Sequence, residues 1–178
     1  MYLSPVTWFR SRLSRRSIQV VDAPDFLNLY RAEIEAEVAR AVPAEGTPLF
    51  EMVRYQLGWP DPRRPEGLPN LGKCLRPSLC LFACETLGGD RAQALPAAAG
   101  IELLHNFSLI HDDIEDGDEL RHHRPTVWKA YGRDPAMLAG MILWTLAYQA
   151  IDRATETGVP PARVIAARRA VSRRGAER

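Results

Sequence analysis

Ile101-Glu102-Leu103-Leu104-His105-Asn106-Phe107-Ser108-Leu109-Ile110-His111-Asp112-Asp113-Ile114-Glu115-Asp116 is the stretch that decides the fold. It reads as one helix reaching about Glu115, followed by a polar connection over 117–125. Asp112 and Asp116 are four residues apart, so a helix puts them on one face, one turn from each other. Asp113 and Asp116 are three apart and also neighbours. Carboxylates at a helix C-terminus repel one another and oppose the dipole. Four of them in that place call for a cation. Magnesium suits them, because it takes hard oxygen ligands and commonly uses one or two carboxylates, waters and phosphate oxygens. Such a metal can bridge to a diphosphate and polarise it as a leaving group. The plain alternative is a solvated acidic helix end. A calcium loop fails, since Ile114 and His123 would occupy its third and twelfth positions. His105 lies seven residues before Asp112, two turns along the same face; taken alone it reads as a core histidine. Ideal geometry puts Ser108 under Asp112 and swings Phe107 to the side.

Outward from this helix the punctuation stays helical and strand signals are almost absent. Asp22 and Pro24 open a segment to about Val42, with Phe26, Tyr30, Ile34, Val38 and Ala41 at helical spacing. Thr47 and Pro48 open another, closed by Gly58. Four prolines within residues 58–72 read as an ordered loop. Pro77 starts a third helix that Gly88-Gly89 stops. Asp90 caps the next segment, and Pro96 marks a break or a first turn before the aspartate helix. Thr126 caps a short turn. Asp134 and Pro135 open a helix to about Thr155, with Gly158 as its stop, and Pro160-Pro161 begins an arginine-rich one. Short connections between helices give an all-α, antiparallel helical bundle. Its expected divisions are a disordered basic leader over 1–21, a helical domain over 22–160 and an arginine-rich tail over 161–178.

The chain has 178 residues, 46 % hydrophobic and 25 % charged, with net charge +1. That is a globular composition with no overall bias toward nucleic acid. Cys74, Cys80 and Cys84 are odd in number and follow no secretory signal, which argues against a disulfide framework; no histidine follows at zinc-ligand spacing. No apolar run is long enough to span a membrane. The leader, with Arg10, Arg12, Arg15 and Arg16 and no acid, loosely mimics a transit peptide or a surface-lying helix. A cytoplasmic location is expected.

Asp112-Asp113-Ile114-Glu115-Asp116, led by Ser108-Leu109-Ile110-His111, resembles the first aspartate-rich motif of the trans-isoprenyl diphosphate synthases, the polyprenyl synthetase family. Gly72-Lys73-Cys74-Leu75-Arg76-Pro77 resembles their Gly-Lys-Arg-x-Arg-Pro motif. Asp118-Glu119-Leu120-Arg121-His122-His123-Arg124-Pro125-Thr126-Val127-Trp128 resembles the stretch after the aspartates. The likeness covers roughly residues 25–165 and implies the N-terminal half of an isoprenoid-synthase-type fold. It implies a prenyltransferase of isoprenoid biosynthesis that condenses an allylic diphosphate with isopentenyl diphosphate through an allylic carbocation. Such ionisation needs stabilisation of the leaving diphosphate and a dry cavity. By the same resemblance Asp112 and Asp116 would ligate magnesium, Asp113 would support them, and Arg121 would clamp the allylic diphosphate. Lys73, Arg76 and His105, with His122, would face isopentenyl diphosphate. Ser108 and Phe107 would form the floor that limits chain growth, a bulky Phe107 implying a product near C20 or below. The expected partners are these two diphosphates and a second synthase chain, in a homodimer or a heterodimer.

The sequence departs from the family pattern at four places. Cys74 replaces an arginine. His122 replaces a second arginine, and histidine is ordinarily neutral near pH 7 and cannot fork; Arg124 is a cation that could compensate. Met141 follows Gly140 where an aspartate is common. Family enzymes are also longer and carry a second aspartate-rich motif on a facing helix, whereas here only Asp134 and Asp152 follow Asp118. The arginine-rich end resembles no family continuation. A truncated or split synthase is the leading expectation. A non-catalytic partner of a full-length synthase is the alternative. A terpene cyclase is disfavoured by Gly72–Pro77, since a cyclase binds no isopentenyl diphosphate.

Overall fold

A computed structural model describes residues 28–44, 46–59 and 71–175. The basic leader, the proposed start of the first helix at Asp22 and most of the proline-rich loop lie outside these residues. The described elements are α1 (Arg31–Ala41), α2 (Pro48–Gln56), α3 (Leu75–Thr86), α4 (Arg91–Asp116), a hairpin of β1 (Leu120–Arg121) and β2 (Arg124–Pro125), α5 (Val127–Tyr131), α6 (Arg133–Asp152), a 3-10 turn (Arg153–Thr155) and α7 (Pro161–Gly175).

The long helices α4 and α6 form the spine and run antiparallel. Glycines let them approach at both ends of the seam. A Cβ on Gly100 would lie 2.6 Å from Ile151 Cγ1 and 2.8 Å from the Ala147 carbonyl oxygen. One on Gly140 would lie 2.6 Å from His111 Nε2. Along this seam Ala99, Leu103 and Ile110 of α4 pack into the same core as Ala139, Leu143 and Ala147 of α6. Helix α1 adds Ile34 and Val38, α2 adds Val53, and α3 adds Leu81.

Several expectations are corrected. Pro96 sits inside an unbroken α4, which starts at Arg91 with Asp90 as its cap; the Asp90 carboxylate accepts from Ala92 N at 2.9 Å. A proline here removes one backbone donor near the helix start, and burial of its ring in the bundle compensates. Helix α3 begins at Leu75, two residues before Pro77, after Cys74 adopts a left-handed φ of 47°. Thr47 and Thr126 occupy N-cap positions without a side-chain cap. The Thr126 hydroxyl instead donates to the Asp118 carbonyl at 2.8 Å. The connection after the aspartates is a two-stranded hairpin, with Leu120 opposite Pro125 and Arg121 opposite Arg124. Its two turn residues, His122 and His123, both have positive φ, 50° and 64°. A tight hairpin of this hand requires that, and histidine tolerates it better than most residues.

The arginine-rich end forms α7 and docks on the end of α6. Val164 packs with Ile151 and Ala154 in a small separate cluster. Arg168 grips the Asp152 carboxylate at 3.0 and 3.1 Å and lies over the Tyr148 ring. No described helix is long and apolar enough to cross a membrane.

Candidate active site

Helix α4 ends at Gly117, whose φ of 73° lets the chain reverse while Asp118 N donates to Asp113 O at 3.0 Å. The acids of this end divide. Asp112, Glu115 and Asp116 are exposed, and no described residue pairs with Asp112 or Asp116. Asp113 points inward and is 1 % exposed. Arg121 of β1 donates to it twice, from Nη2 at 2.6 Å and Nε at 3.0 Å. This fork holds the Arg121 guanidinium more firmly protonated than usual, the Asp113 hydrogen bond being the main cause. Asp113 thus fastens the hairpin to α4 and is turned away from the face that carries Asp112 and Asp116.

Beside this end lies a cavity of about 580 Å³ between α3, α4 and the hairpin. Lys73, Arg76, His105, Arg121 and His122 all line it, so the diphosphate-facing residues expected from separate stretches of the chain converge on one space. Arg76 Nη1 lies 3.1 Å from His105 Nε2. Arginine can only donate, so Nε2 carries the lone pair and the ring proton sits on Nδ1. Burial, then the Arg76 and Arg121 charges, lowers the His105 pKa below its ordinary 6.5 and favours that neutral form. His105 therefore orients Arg76 and adds no charge of its own. Cys74 also lines the cavity, and burial is the main cause that pushes its thiol up to about 12. No cation stands at that position.

Arg124 is placed elsewhere. It is not among the cavity-lining residues and stacks over the Tyr55 ring at 4.4 Å. Arg124 therefore does not share the cavity that His122 lines. Phe107 faces α6, with its ring 4.4 Å from His111 and 5.0 Å from Trp144. The Ser108 hydroxyl donates back to the His105 carbonyl at 2.8 Å. Neither Phe107 nor Ser108 lines the cationic cavity.

Several cavity residues escaped the sequence reading. Arg31 reaches the loop, donating to the Gly72 carbonyl at 2.7 Å. Glu102 and Asn106 form part of the wall, and Gln56 Nε2 donates to Asn106 Oδ1 at 3.4 Å. Glu102 carried a signal, an acid in the apolar run three residues before His105. Gln56 and Arg31 carried none, because their distance in sequence hides their position.

Among the described residues no group of three or more His, Cys, Asp and Glu converges as a metal cage. Asp112 and Asp116 still fit magnesium by their chemistry. They are two exposed carboxylates one turn apart, and magnesium that arrives with a diphosphate needs no further protein ligand.

The family model described as polyprenyl synthetase matches residues 67–173, which includes most of the arginine-rich stretch expected to lie outside the family. The (2E,6E)-farnesyl diphosphate synthase of Mycobacterium tuberculosis is 47 % identical over 100 residues, 56 % of this chain and 28 % of that protein. The geranylgeranyl diphosphate synthase of the same organism is 38 % identical over 126 residues, 71 % of this chain and 36 % of that protein. The solved polyprenyl synthetase from Streptomyces coelicolor superposes with TM-score 0.70 at 35 % identity, covering 85 % of this chain and 43 % of that one. A geranylgeranyl pyrophosphate synthetase from Geoglobus acetivorans gives 0.66 at 32 % identity, covering 84 % and 44 %. The chain thus spans less than half the length of the relatives it matches. With the all-α bundle, the ordered motifs and a family match over most of its described residues, the chain belongs to the polyprenyl synthetase family.

Proposed function

We propose that this chain supplies the isopentenyl diphosphate pocket and the first aspartate pair of a short-chain prenyl diphosphate synthase. The observation that carries this reading is the convergence of Lys73, Arg76, His105, Arg121 and His122 on one cavity, with the Asp112 charge acting on both His105 and Arg121. Arg76 offers a planar fork to phosphate oxygens, and Lys73 a mobile point charge. His105 holds the Arg76 fork in place. Arg121, fixed by Asp113, presents its remaining donors to the cavity. Magnesium held by Asp112 and Asp116 would neutralise the allylic diphosphate as a leaving group. The apolar seam beside Phe107 is the side on which a growing chain would lie. Three free thiols suit a reducing compartment, and we place the protein in the cytoplasm.

Calorimetry with isopentenyl diphosphate, with and without magnesium, tests the pocket. Binding that weakens at least tenfold in Arg76→Ala and in Lys73→Ala is the expected result, equal to about 1.4 kcal/mol each. Unchanged binding in both variants rejects the reading. Efficient elongation of an allylic diphosphate by the purified chain would reject the expectation that a second aspartate-rich half is needed. In a complete active form, Phe107→Ala should lengthen the product.

A second reading is favoured by His122 in place of an arginine: a non-catalytic partner of a full-length synthase. A relative from Arabidopsis thaliana, 46 % identical over 99 residues, is named as the large subunit of a heterodimeric geranylgeranyl pyrophosphate synthase. Co-purification with a full-length synthase, together with binding but no turnover, is the outcome that selects this reading.

A further inference from the structure

One cavity residue has no part in the chemistry above. Glu102 is 3 % exposed, yet it lies in the wall of a pocket built for an anion. A buried carboxylate is costly unless it is compensated. Its direct partner is the Asn106 amide, which donates to Glu102 Oε1 at 3.3 Å and to the Glu102 carbonyl at 3.0 Å. Gln56 of α2 backs Asn106 from the other side. No described cation makes an ion pair with Glu102. The compensating charge is the Arg76 guanidinium, which lines the same cavity and favours the ionised form without pairing directly with it.

The other charged and titratable groups of the pocket are Arg31 from α1, Lys73 and Cys74 before α3, His105 on α4, and Arg121 and His122 from the hairpin. Arg31 is committed to Glu35 at 2.8 Å, and Arg121 to Asp113. His105 is held neutral. Of the cavity's cations, Arg76 is the one whose charge acts on Glu102, so it is the charge that Glu102 and an incoming anion share.

Resting on the reading of this cavity as a diphosphate pocket, we propose that Glu102 takes up a proton when a diphosphate occupies Arg76. Arg76, held at His105 in the same cavity, acts by its charge on the Glu102 carboxylate. A bound diphosphate claims the Arg76 donors and brings its own negative charge within the same walls. The carboxylate then loses its compensation and gains a repelling neighbour. A proton from solvent moves onto a Glu102 oxygen, and the neutral acid keeps its acceptor bond from Asn106. Burial already raises the Glu102 pKa from 4.5 to about 7, so the group stands near half-protonation at neutral pH and responds to a modest change in charge. The sign follows: an added anion raises this pKa further, so binding consumes protons and weakens as pH rises above 7.

The test is titration calorimetry of the full chain with isopentenyl diphosphate, in buffers of different ionisation enthalpy at equal pH. Glu102→Gln is the comparison, because its amide oxygen can still accept from Asn106. The ligand's own ionisation contributes equally to both proteins and drops out of the difference. The wild type should take up about half a proton more than Glu102→Gln at pH 7, and more at pH 8. Between pH 7 and 9 wild-type affinity should fall several-fold relative to the variant. Equal proton uptake with equal pH profiles, both proteins binding, overturns the role of Glu102 alone. Absence of binding by the wild type overturns the pocket and this role together. If Glu102→Gln does not fold, carboxyl-labelled glutamate in the wild type replaces it. A carboxyl resonance that titrates near pH 7 and moves upward with ligand supports the proposal; one unmoved by ligand refutes it.

Discussion

Asp112, Asp113 and Asp116 show how far neighbouring identical residues can part in role. Asp113 is buried on the Arg121 fork, while Asp112 and Asp116 face solvent. Asp113→Asn should cost about 2 kcal/mol of stability, because it weakens a charge-assisted pair whose carboxylate is fully desolvated. Asp112→Asn with Asp116→Asn should leave the melting temperature unchanged or raised and abolish magnesium-dependent diphosphate binding. Thermal melts and calorimetry on the same variants check both halves. Glu102 gives a stability test of its own. Its raised pKa means the folded chain holds a proton that the unfolded chain releases, so stability falls as pH climbs from 4.5 to about 7 and then levels. Relative to Glu102→Gln the wild type should lose about 3 kcal/mol between pH 4.5 and pH 8, read from denaturant melts at both. The spacing of the aspartates was legible because helical geometry is periodic. The inward turn of Asp113 was not, because it depends on an arginine eight residues later that a hairpin swings back.

At the scale of elements, the α4–α6 seam is held close by Gly100 and Gly140. A methyl group at Gly100 would meet the Ala147 backbone carbonyl at 2.8 Å, and backbone cannot rotate aside. Gly100→Ala should therefore destabilise by about 1–3 kcal/mol, although alanine is the better helix former by about 1 kcal/mol. Chemical denaturation measures the net sign. Most helices could be read from caps and periodicity: Pro48 and Gly58 bracket α2, and Gly88-Gly89 stops α3. Two local rules were overridden. Pro96 does not break α4, because burial of its ring in the bundle outweighs one missing hydrogen bond. The histidine pair forms a hairpin turn although the sequence there has neither the asparagine–glycine signal nor a β-branched run. The cavity was legible residue by residue from the family likeness. Its walls at Gln56 and Arg31 depend on how α1 and α2 dock, which no local pattern encodes.

For the molecule as a whole, apolar side chains stand on two faces. Leu75, Leu79 and Phe82 follow one another along α3, and Leu138 and Met141 along α6. Their spacing makes continuous strips, and strips of this kind favour association. The chain should self-associate in a concentration-dependent way, and Leu79→Glu with Phe82→Glu should shift it toward monomer. Sedimentation velocity at several concentrations is the measurement; an unshifted distribution would exclude the α3 strip from the contact.

The Asp113–Arg121 fork has a consequence for the thermodynamics of ligand capture. A long guanidinium side chain in solution samples many rotamers and forfeits that freedom when it seizes an anion. Here the freedom is already gone, because one edge of the plate is bolted to the helix before any substrate arrives. On the proposed function, a phosphate would meet a jaw that is already set. Unbolting it should therefore appear first in the entropy of capture, with the enthalpy changed least.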